Sequence, residues 1–99
     1  MSRILLTIYC ASRDGEAIAQ ALSDRTHAPV HSRSETVLGR DFGDAQPGER
    51  VSGTLARTAI TIEIGAEQLA ETLEAARAAR RQLPFRWHSI AILDGGRVE

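Results

Sequence analysis

The side chains best suited to chemistry gather in one stretch. Residues 39–57, GRDFGDAQPGERVSGTLAR, carry three arginines, Arg40, Arg50 and Arg57, interleaved with Ser52 and Thr54, and hold four of the chain's eight glycines. A guanidinium fork grips phosphate or carboxylate oxygens through paired, directional hydrogen bonds. Hydroxyls and open backbone beside Gly53 add further donors. These residue types predict an effector site for a small anion, built from Gly39, Arg40, Arg50, Ser52, Gly53 and Arg57. Arg97, beside the turn Asp94-Gly95-Gly96, is a further candidate, supplied by a neighbouring subunit. The competing reading is a set of solvated charges offset by Asp41, Asp44 and Glu49. A phosphate signature such as GxxxxGK is absent.

Metal ligation and catalysis find less support. Cys10, His27, His31 and His88 are competent ligands. His27 and His31 stand four apart, but Pro29 between them denies the helical geometry that would align them. Cys10 falls in register with core residues and reads as a small buried hydrophobe. No metal site is therefore expected, with Cys10, His31 and His88 as the alternative ligand set. A single cysteine leaves neither an internal disulfide nor a CxxC motif. Glu63 has no second acid, nucleophile or paired histidine at a spacing that defines a mechanism. Neither an enzyme nor a resident cofactor is expected.

Composition sets the outer bounds. Ninety-nine residues predict one domain over 1–99, with a core modest enough that oligomerisation would help. The 42% hydrophobic and 25% charged content is that of a globular chain. A net charge of -1 offers no general attraction to nucleic acid or an anionic membrane, so an anion site must be local. No apolar run approaches the roughly 18 residues that span a bilayer, and the N-terminus shows no signal-peptide pattern. The expectation is a cytoplasmic protein with no nucleic-acid partner and no membrane insertion.

The elements that must position the arginines follow from periodicity. Residues 3–10, RILLTIYC, alternate as a strand that is apolar on both faces. A helix follows, with Ser12 as its expected cap and Ala17, Ile18, Ala21 and Leu22 as its buried stripe. It should stop near Asp24 to His27, because Pro29 disfavours helical geometry at Ala28. Residues 30–38 form a mostly polar strand suited to a sheet edge. Residues 59–64 alternate Ile60, Ile62 and Ile64 against Thr61 and Glu63. A strong helix over 66–83 leads to Pro84, and a last strand covers 87–93. The order β-α-β-β-α-β predicts a ferredoxin-like α+β fold: a four-stranded antiparallel sheet, strands one and three central, both helices on one face. The helices are expected over Ile4, Leu6, Ile8, Ile60, Ile62 and Ile90. Leu5, Tyr9, Trp87 and Leu93 then form an apolar patch on the other face, expected to be an oligomer interface. Between strands two and three lies the long connection 39–57, longer than compact domains keep without a function.

The chain resembles the PII-like signalling proteins of the nitrogen regulatory PII superfamily, and most closely a small PII-like family of unknown function associated with heavy-metal efflux systems. Glu49-Arg50-Val51-Ser52-Gly53, Phe85-Arg86-Trp87 and Ile92-Leu93-Asp94-Gly95-Gly96 carry the local likeness. The resemblance implies a homotrimer of ferredoxin-like subunits with a flexible T-loop over 39–57, opened by Gly39-Arg40. It also implies ligands, commonly adenine nucleotides, in the clefts between subunits. The chain departs from PII proteins in two places. Its connection 81–86, RQLPFR, lacks their glycine- and lysine-rich phosphate loop, and the stretch 39–57 has no tyrosine. The expected function is a non-enzymatic regulator that binds a small anionic effector, with an adenine nucleotide as one candidate. It would act through the loop on a partner protein such as a membrane transporter, with Phe42 and Leu55 as anchors. The alternatives are a metal-responsive trimer of the CutA kind and a ligand-free interaction module.

Overall fold

The computed structural model describes residues 2–38, 54–81 and 83–99. Strand β1 spans Arg3–Ala11 and helix α1 Gly15–Thr26, joined by a 3-10 turn at Ser12–Asp14. Strands β2 (Val30–Leu38) and β3 (Thr54–Gly65) follow. Helix α2 (Leu69–Ala79) is entered through a second 3-10 turn, and β4 (Arg86–Ala91) closes the sheet. Among the described residues the sheet has four antiparallel strands in the order β2-β3-β1-β4, with the two most apolar strands at its centre as expected.

Alternation on the central strands builds the core. Leu6, Ile8 and Cys10 of β1 and Ile60, Ile62 and Ile64 of β3 face Ile18 and Leu22 of α1 and Ala76 of α2. Each large aliphatic side chain removed from water contributes roughly 1.5–3 kcal/mol. Gly15 is required by proximity: a β-carbon there would lie 2.8–2.9 Å from three atoms of the Thr58 side chain, so α1 starts hard against β3.

Several local expectations are corrected. Ser12 makes no cap, because the chain enters α1 through the 3-10 turn and no side-chain cap bond forms. His27 instead ends α1 in the left-handed conformation (φ 57°), its N–H donating to the Ser23 carbonyl at 2.9 Å. Helix α2 stops at Ala79, not Leu83: Arg80 is extended, and the Arg81 N–H donates to Oδ1 of the buried Asp14 at 3.3 Å. Satisfying a buried carboxylate outweighs the small per-residue helix preference of this stretch.

The phase of β4 is also reversed from expectation. Its register sets Trp87 against Ile8 and Ile90 against Leu5. Opposed residues in an antiparallel pair share a face, so Trp87 lies on the helix side, beside Leu73 and Phe85, and Ile90 on the open side, 54% exposed. A strand with apolar residues at both phases carries no internal signal for choosing between them.

Candidate functional site

Strand β3 begins at Thr54, well before the expected residue 59, and pairs with β2 as far as Leu38. The connection between these strands is therefore 39–53, and Thr54–Arg57 belong to the sheet. Leu55 and Arg57 lie on the open face, opposite Val37 and Glu35 of β2. Arg57 is only 4% exposed, a charged side chain seated in the face that no helix covers. Its Nη1 donates to the Ala56 carbonyl at 2.9 Å.

Across the sheet, Tyr9 of β1 is flanked by Arg86 of β4, and the rings of Tyr9 and His88 meet at 5.5 Å and 31°. Together these residues enclose a cavity of about 380 Å³. Tyr9, His88, Val37 and Leu55 supply its apolar wall, with Trp87 at its border; Arg57, Arg86 and Glu35 supply its charge. The Glu35 carboxylate accepts a bond from Nε of Arg33, its neighbour along the same face of β2, at 2.9 Å. Roomier depressions exist, about 580 Å³ between α1 and β2 and about 790 Å³ at the far end of the sheet, but neither holds a buried cation. Preformed apolar pockets with a few convergent polar groups are where small ligands bind.

The expected effector residues divide sharply. Gly39, Arg40, Arg50, Ser52 and Gly53 lie outside the described residues, as does the anchor Phe42. Arg57 is at the cavity. Arg97 is at the opposite end of the same chain, paired with Glu99 at 3.2 Å and beside Arg3 and Glu63, so one chain does not bring it to Arg57. Leu55, expected as a partner anchor, is 5% exposed and packed into the sheet, because the strand runs through it. Of the expected interface residues, Leu5 and Tyr9 lie half-buried on the open face, and Leu93 is 98% exposed beyond β4. Trp87 is corrected to the helix side, and Ile90 takes its place.

The alternative metal ligands are dispersed. Cys10 is inside the helix-covered core, donating to the Thr58 carbonyl at 3.5 Å, while His31 and His88 occupy opposite edge strands. Burial, reinforced by the nearby Asp14 charge, pushes the Cys10 thiol up to about 11, which opposes the thiolate a metal needs. No group of three or more metal-ligating side chains occurs among the described residues.

Glu35, Val37, Arg86 and His88 were not expected at an effector site. The alternation of β2 does place Glu35 and Val37 on one side with His31 and Arg33, but their proximity to Arg86 requires the strand order. No helix among the described residues is long and apolar enough to cross a membrane.

No family model and no curated sequence matches the chain. Solved structures do. A DUF3240 family protein from Shewanella baltica superposes with a TM-score of 0.80 at 16% identity, covering 100% of this chain and 99% of its own. CutA1 from Oryza sativa gives 0.74 at 15% identity, covering 97% of this chain and 84% of its own. Arabidopsis thaliana PII, in a structure bound to citrate, gives 0.68 at 8% identity, covering 92% and 78%. At these identities the likeness is one of fold: the chain carries the PII-like form of the ferredoxin-like fold found in PII, CutA and DUF3240 proteins.

Proposed function

We propose that the protein is a non-enzymatic cytoplasmic regulator that self-associates, as a homotrimer, through the open face of its sheet. It binds a small anionic effector at the Arg57 cavity, which then lies in a cleft between subunits. The observation that carries this reading is Arg57 itself: a nearly buried arginine on the sheet face opposite the helices, four residues into the strand that follows the connection 39–53. A guanidinium offers paired, directional donors to phosphate or carboxylate oxygens, so an arginine at this cavity fits a site made for an anion. An effector held there would bias the adjoining connection, and through it a partner protein such as a transporter, because a ligand shifts whichever state it binds better. Arg40, Arg50, Ser52 and Gly53 complete the proposed site from the connection, and Arg97 from a second subunit.

Calorimetric titration with adenine nucleotides, citrate, bicarbonate, zinc and copper tests the reading. The expected result is heat from at least one anion, weakened ~10-fold or more by Arg57→Gln, as loss of a charge-assisted hydrogen bond implies. Heat from the metals alone, abolished in His31→Ala or His88→Ala, would favour the metal-responsive alternative. Silence with every ligand would leave an interaction module.

A further inference from the structure

The residues that follow β4 make an arm that their own chain leaves bare. The Ile92 N–H donates to the Arg3 carbonyl at 3.0 Å, which carries the sheet ladder one step past β4. Beyond that point the described residues give the arm no polar contact with the body: the Gly95 N–H turns to Oδ1 of Asp94 at 2.8 Å, and Arg97 pairs with Glu99 at 3.2 Å. Its two large apolar side chains, Leu93 and Val98, are 98% and 99% exposed. A cleft stays open between the arm and Ser2, Arg3 and Glu63 at the sheet end, so the arm does not fold back. Nor does the chain itself call for glycine at 95 or 96. Neither residue adopts the left-handed region, and a β-carbon on either would meet nothing nearer than the Ile92 side chain at 4.0 Å. What two adjacent glycines do supply is bare backbone that another surface can approach closely.

Resting on the self-association proposed above, we propose that residues 93–98 are an exchanged arm, which lies on the sheet face opposite the helices in a second copy of this chain. The seat follows from continuity with that face. Leu5 and Ile90, opposed in register on it, one partly buried and the other half-exposed, stand at the end of the sheet from which the arm departs. When two such faces meet, each arm therefore leaves from the margin of the contact itself. Six extended residues span up to about 20 Å, enough to cross the roughly 14 Å between the outer strands of a four-stranded sheet. Leu93 packs against the second copy's Leu5 and Ile90, and Gly95-Gly96 let the arm's backbone lie close on the strands. A second copy answers both needs at once, since each chain carries an apolar arm without a seat and an apolar pair without a cover. Exchange is also what would carry Arg97 of one subunit to another.

Sedimentation velocity over a concentration series tests this on the full chain, comparing the wild type with Leu93→Asp, Gly96→Val and the double variant Leu93→Asp, Val98→Asp. The wild type should self-associate. The dissociation constant should rise about 10-fold or more in Leu93→Asp, the factor expected for one large aliphatic side chain no longer taken out of water. It should rise further in the double variant and also in Gly96→Val, where a side chain would hold the two backbones apart. None of these positions is packed within one chain, so far-UV circular dichroism of the diluted proteins should be unchanged. Association at wild-type strength in every variant would overturn the arm and leave the self-association standing. A wild type that stays monomeric throughout the series would overturn both. Weakening in the Leu93 variants with none in Gly96→Val would overturn the close approach at the glycines.

Discussion

Cys10 and Thr72 show how far burial alone changes a side chain. The Cys10 thiol, raised from 9.0 to about 11 by its apolar surroundings and by Asp14, is protonated throughout the neutral range. It should resist alkylation at pH 8 in the folded protein and react after denaturation. The linkage has a definite sign. A raised folded value means that the native state holds the proton more tightly, so the contribution is complete below pH 9 and is lost as pH rises toward 11. A rise from 9.0 to about 11 corresponds to at most about 2.7 kcal/mol of stability. Denaturation midpoints across that window should fall more steeply for the wild type than for Cys10→Ala. Thr72 is fully buried on α2, and among the described residues its hydroxyl has no hydrogen-bond partner. Thr72→Val keeps the shape and removes the unpaired group. It should stabilise by about 1 kcal/mol and raise Tm by roughly 4–8 °C in a domain of this size. An unchanged or lower Tm would show that the hydroxyl finds a partner in solution.

Between elements, the tightest joint is the start of α1 on β3. Gly15→Ala would improve helix propensity by at most about 1 kcal/mol, and less at a first-turn position. Against that, the new methyl group would be forced into Thr58, and overpacking of this kind costs about 1–3 kcal/mol. The clash should win. Chemical denaturation should show net destabilisation, and a gain would mean that α1 slides away from β3 freely. A second joint couples the chain's two halves: the Arg81 N–H on Asp14 Oδ1 ties the entry to α1 to the exit from α2, at the end of the sheet where Arg57 and Arg86 also lie. Among the described residues the other oxygen of this buried carboxylate has no partner, so its position is held by packing and by that one bond.

At the scale of the whole molecule, the sheet face opposite the helices is the feature that the described residues of a single chain leave unexplained. Leu5 and Ile90 stand opposite each other on it, next to Thr7 and Thr61, while the helices protect only the other side. If the face is the subunit interface, Ile90→Asp should shift the sedimentation coefficient to that of a monomer. It should do so without unfolding the chain, because the residue is already half-exposed within one subunit. A variant that sediments like the wild type would remove this face from the assembly.

Much of the architecture was legible in the sequence because it rests on local periodicity and on punctuation. Alternating aliphatic residues in β1 and β3, the bounds of β2, the halt at Pro29 and the order of elements each depend on residues close together in the chain. The fold class follows from that order and from the handedness of crossovers. Arg57 was singled out from its residue type and surroundings. What only tertiary structure decided is where long-range pairing overrides local preference. Thr54–Arg57 read as loop residues because glycines and charges precede them, yet β2 captures them as a partner strand. Trp87 and Ile90 could each face the helices until β1 fixed the register, since a shift of one residue exchanges the two faces. The cavity draws on all four strands, so its lining of Glu35, Val37, Arg57, Arg86 and His88 exists only once residues far apart in sequence are brought side by side.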